Sequence, residues 1–85
     1  MAFKYHESVL RELARHGIIP QDDTPPELIR DYVSGLYLVE IRSLRDKMIA
    51  GQIQKKDYAR RVAELRDRYP ILSLRVDLWA EERDE

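Results

Sequence analysis

His6 and His16 are the only imidazoles in the chain. Ten residues apart on one helix they would project about 80° away from each other, so they do not form the adjacent-turn pair that binds a metal ion. His16 is better suited to the C-terminal end of a helix, where positive charge is favoured. Asp22 and Asp23 are the one adjacent carboxylate pair before the acidic C-terminal run, and acid and base chemistry would require one of them to be buried and kept protonated. Their place just ahead of a helix start predicts solvated acids instead. Ser8, Ser34, Ser43 and Ser73 have no neighbouring base pattern that would activate a hydroxyl, and three glycines form no phosphate-cradling loop. The absence of cysteine removes disulfides, thiolate nucleophiles and thiolate zinc sites together. These residues predict a protein that is not an enzyme and that takes no metal and no cofactor.

Two further sets of side chains have binding potential. Arg42, Arg45, Lys47, Lys55, Lys56, Arg60, Arg61, Arg66 and Arg68 make residues 40–68 locally basic, with nine cationic side chains against five acidic ones, whereas both flanking segments are net acidic and the whole chain is at −1. Phosphate contacts supply the sequence-independent part of nucleic-acid binding, so Lys55, Lys56, Arg60 and Arg61 are the candidate residues for that role. Interleaved acids predict ordinary ion pairs four residues apart, Asp57 with Arg61 and Glu64 with Arg68, on a solvated face. The acidic tail offers a further partner for this surface, within one chain or between two. Tyr32, Tyr37, Tyr58 and Tyr69 fall on or beside apolar stripes, which predicts packing rather than a base-stacking platform. Trp79 has two readings: a lock holding the tail to the body, or an anchor for a partner.

The elements that must hold these side chains are helical in pattern. A first helix is expected over about residues 3–16, with Phe3, Val9, Leu10 and Leu13 on its apolar face and Gly17 as its left-handed stop. Thr24-Pro25-Pro26-Glu27 has the order of a capping box with proline in the first turn, predicting a helix from 25 to about 50. Along its first half, residues 28–39, apolar side chains surround most of the circumference and predict cover on two sides. From Glu40 onward they narrow to Ile41, Leu44, Met48 and Ile49, a single stripe. Gly51 stops this helix, Ile53 plugs the turn, and a third helix over about 55–69 presents Tyr58, Val62, Leu65 and Tyr69 along one face. Pro70 ends it. Residues 71–76 are expected to cross the hairpin as an extended strap leading to a short helix at about 77–83, with the tail frayed.

Residues 40–65, EIRSLRDKMIAGQIQKKDYARRVAEL, resemble the bacterial short C-terminal domain family of helical hairpins. The resemblance rests on Leu44, Met48, Gly51, Ile53, Asp57, Tyr58 and Leu65. It implies a role in oligomerisation or tethering and no catalytic residue.

The expectation is thus an all-α single domain, a small three-helix unit spanning residues 1–85 with a long central helix, an antiparallel hairpin about Gly51 and a C-terminal strap ending in a short helix. With 44% hydrophobic and 36% charged residues the chain has the composition of a folded protein rather than a disordered one. Glu7 and Glu12 interrupt the N-terminal apolar pattern, so neither a signal peptide nor a membrane span is expected, and the location is expected to be cytoplasmic. The expected function is protein–protein interaction, as an adaptor or regulatory subunit with a protein partner or a second copy. Leu36, Tyr37, Val39 and Trp79 are the expected contact residues, and nucleic-acid binding through Lys55, Lys56, Arg60 and Arg61 is the alternative.

Overall fold

The computed structural model describes residues 2–83. Three helices carry most of them: α1 (Glu7–Arg15), α2 (Pro26–Ile49) and α3 (Lys55–Asp67). The fold is nevertheless not purely helical. Strand β1 (Ala2–Tyr5) pairs antiparallel with strand β2 (Ala80–Arg83), with Phe3 opposite Glu82 and Tyr5 opposite Ala80.

That small sheet corrects two expectations at once. The first helix does not begin at residue 3, because Phe3 and Tyr5 alternate on one face of β1 in the period of a strand. The helix expected at 77–83 is instead a 3₁₀ turn, Val76–Leu78, followed by β2. Nor is the strap extended, since Pro70–Ser73 forms another 3₁₀ turn. The part of the acidic tail within the described residues is therefore paired with β1 rather than laid over the basic hairpin. Residues 84 and 85 lie outside the described residues.

Backbone stops fall where the residue types demand. Gly17 and Gly51 have φ of 75° and 80°, the left-handed region that side chains with a Cβ avoid. Each closes its helix with the paired bonds of a Schellman motif: Ile18 N–H to the Leu13 carbonyl and Gly17 N–H to Ala14 after α1, Gln52 N–H to Lys47 and Gly51 N–H to Met48 after α2. The start of α2 uses a different device from the expected capping box. Pro25 occupies the cap position without a side-chain bond, and the Thr24 hydroxyl accepts from the Gln21 N–H at 3.1 Å instead. The Thr24 carbonyl is taken by the Tyr5 hydroxyl at 2.6 Å, which ties β1 to the entry of α2.

The core gathers Tyr5, Val9, Leu13, Val33, Leu65, Tyr69, Ile71 and Trp79. Trp79 is fully buried, and its Nε1–H donates to the Leu74 carbonyl at 3.1 Å. Its own carbonyl accepts from the His6 N–H at 3.1 Å, so this residue seats the tail and aligns β2 beside β1. Beyond this core, α2 continues with Ile41 and Leu44 against α3, and the molecule measures 55 × 18 × 16 Å.

Candidate functional site

Position on α2 decides which apolar side chains find cover. At about 100° per residue, Val33, Tyr37 and Leu44 point one way, and Leu28, Tyr32, Gly35 and Val39 point the opposite way within roughly 60° of one another. The first group is packed in or against the core. The second is left bare: Leu28, Tyr32 and Val39 retain 62%, 59% and 64% of their surface, with Leu38 exposed beside them. The expectation that residues 28–39 are covered on two sides is met on one side only.

This arrangement redistributes the expected contact residues. Leu36 and Tyr37 are partly buried and pack on the core, so they belong to the inner face. Val39 stands on the outer face. Trp79, with no exposed surface, acts as the lock of the tail and offers nothing to a partner while the tail is seated. Leu28, which was not among the expected contact residues, and Tyr32, which was expected to pack but keeps 59% of its surface, are the larger part of the exposed stripe. Their position four residues apart, on the side away from Val33 and Tyr37, was the signal available.

A shallow depression of about 460 Å³ continues the stripe toward the end of α2. Val39, Arg42, Ser43, Asp46, Lys47 and Ala50 line it along the helix and its C-terminal end, with Gln52 of the turn. Positions i, i+3, i+4 and i+7 of one helix are the four corners that receive a single side chain from a facing helix. Gly35, one turn before Val39, has open space where its Cβ would stand.

The basic residues do not assemble into one surface. Lys55, Lys56, Arg60 and Arg61 are all exposed on α3 but spread around more than half its circumference. Arg60 approaches Asp57 at 3.7 Å and Glu64 at 3.9 Å, in place of the expected pairs Asp57 with Arg61 and Glu64 with Arg68. Arg61 instead shares a recess between α2 and α3 with Lys47, Arg68 and the carboxylate Glu40.

The densest polar arrangement centres on Tyr69. Its ring stacks on His16 with centroids 4.4 Å apart and meets the Tyr37 ring edge-on at 5.5 Å. Its hydroxyl donates to Glu40 Oε2 at 2.5 Å. Burial, reinforced by that bond and by the Glu40 charge, pushes the phenol up to about 12. His16 caps α1, and its Nε2 is buried without a hydrogen-bond partner among the described residues. The cluster joins the ends of α1 and α3 to the middle of α2. Asp22 and Asp23 lie in an exposed turn, and among the described residues no group of three or more acidic or imidazole side chains gathers as a metal site would require. No helix among them is long and apolar enough to cross a membrane.

No protein-family model, no curated protein and no solved structure matches this chain.

Proposed function

We propose that this chain is a non-enzymatic protein-interaction module, an adaptor or regulatory subunit, that docks through the outer face of α2. One observation carries the reading: Leu28, Tyr32 and Val39 form an uncovered apolar stripe along one face of the longest helix, opposite the face that packs on the core around Trp79. Contiguous apolar surface of this kind costs solvation free energy on a free monomer and is characteristic of protein contacts. Tyrosine suits such a contact, since it brings a large rigid area with a polar tip. The resemblance of residues 40–65 to oligomerising hairpins is in keeping with the same reading.

A photo-reactive amino acid in place of Val39, introduced in cells expressing the chain, is expected to yield discrete higher-mass adducts. The same group at the exposed polar position Arg11 is expected to yield none. Leu28→Asp, on the same stripe, should abolish the adducts formed from position 39 without unfolding the chain, because Leu28 is exposed. Adducts that are absent at 39, or equal at 39 and 11, would overturn the docking reading.

A further inference from the structure

The outer face of α2 carries its own complement. Leu28 projects from its first turns, and on the same face farther along Val39, Arg42, Ser43 and Asp46 make four corners at the near end of the depression. If the Leu28 of one α2 enters that depression on another α2 running the opposite way, positions summing to about 71 face each other. The same register drops Tyr32 over the partner copy's Gly35, Leu38, Val39 and Arg42, a second set of four corners. It also sets the midpoint of the pair at Gly35, the one residue of α2 without a side chain, where two backbones can approach most closely. Resting on the docking reading above, we propose that the occupant of this face is a second copy of the chain, with the two α2 helices antiparallel about a two-fold axis at Gly35.

Charge selects this direction. On one flank of the stripe, Glu27 and Asp31 occupy the first half of α2 and Arg42 and Arg45 the second half. Among the described residues, Glu27, Arg42 and Arg45 make no ion pair, and Asp31 only reaches Arg30 at 4.0 Å. In an antiparallel two-fold pair the same flanks of the two helices adjoin, so Glu27 meets the partner copy's Arg45 and Asp31 its Arg42, twice over. Asp46 then comes beside the partner's α2 N-terminus, where the helix dipole favours an anion. A parallel two-fold pair brings opposite flanks together instead, so Glu27 and Asp31 would not meet these arginines and the four cross-pairs would be lost. A strip about 36 Å long and about 10 Å wide covers less than the roughly 800 Å² per partner of a standard interface, so the dimer belongs to the weak, reversible class.

The chain has no cysteine, so a single introduced thiol reports the geometry directly. Gly35→Cys is expected to form a disulfide-linked dimer under mild oxidation. Leu28→Cys is not, because the two copies of residue 28 would stand about 22 Å apart along the helices, far beyond the about 7 Å a disulfide spans between Cα atoms. Sedimentation of the whole unmodified chain from micromolar to millimolar concentration should show reversible dimerisation. Glu27→Arg and Arg45→Glu should each weaken it, and an equimolar mixture of the two variants should restore it, since both cross-pairs are then opposite in sign. Crosslinking through residue 28 rather than 35, a mixture no tighter than its components, or a strict monomer throughout would each overturn the antiparallel dimer. In that event, adducts from position 39 that pair the chain with a different protein would leave the docking reading standing. Loss of those adducts as well would remove both.

Discussion

At the scale of single residues, the strongest chemistry in this protein is structural. Tyr69 keeps its proton because the core beside Leu65 and the Glu40 carboxylate both oppose a phenolate. Its folded-state value of about 12 lies above the ordinary 10.0, so the folded form holds the proton more tightly than the unfolded one. The resulting stability is complete below about pH 10 and is lost as pH rises toward 12. The melting temperature is therefore expected to fall across that window, and Tyr69→Phe should flatten part of the fall. At neutral pH the same substitution removes a hydrogen bond to a charged acceptor and should cost about 1.5–3 kcal/mol by denaturant titration. Tyr5, raised by burial and then by the nearby Glu27 charge, leaves a smaller residual dependence in that variant. A flat pH profile in the unmodified chain would contradict the burial of the Tyr69 hydroxyl against Glu40. The residue types gave partial notice of this cluster. Tyr69 continues the apolar spacing of α3 two residues past its end, but Glu40 and His16 are 29 and 53 positions away, and no local pattern links the three.

Among the elements, the terminal sheet depends most on a single side chain. Four-residue strands have little intrinsic stability, and a two-stranded ribbon is marginal in water. This one persists because Trp79 is held in the core, with its indole bonded to Leu74 and its carbonyl to His6. Trp79→Ala should cost about 3–5 kcal/mol, a large part of the total for a domain of this size. Amides of residues 2–5 should then exchange faster with solvent than those at the centre of α2. Uniform loss of protection across both would instead mean that the sheet and the helices unfold as one unit. The stops were legible: Gly17, Gly51 and Pro70 act through their own backbone geometry and end helices where the residue types indicate. The strand partners were not. Phe3 and Tyr5 alternate over too few residues to distinguish a strand from a helix start, and Ala-Glu-Glu-Arg has no strand pattern of its own.

For the whole molecule, shape is the informative quantity. A chain of 10.1 kDa would ordinarily expose about 5,300 Å², and this one exposes 6364 Å². Its radius of gyration is 15.8 Å, where about 12 Å is usual for 85 residues. The excess follows from α2, which is longer than the core that α1, the strap and the sheet can build around it. The proposed dimer would add to stability by mass action, because a second copy would bind the folded form alone. Its melting temperature should accordingly rise with concentration, by about 4–8 °C for each kcal/mol gained once dimers predominate. A midpoint independent of concentration over the range of the sedimentation experiment would be incompatible with a native dimer.

Local chemistry in the sequence determined that there are three helices and where the glycines turn the chain, since glycine and the 3.6-residue period act within a few positions of themselves, but not where the first helix begins. It also marked residues 28–39 as too apolar for a single covered face. Which side of that helix would be covered was decided by the tertiary structure alone. β1, Trp79 and the strap pack on the Val33 and Tyr37 side, and Leu28, Tyr32 and Val39 on the other side stay exposed. Burial depends on which distant segments arrive at a surface, and that is a property of the assembled chain rather than of any stretch within it.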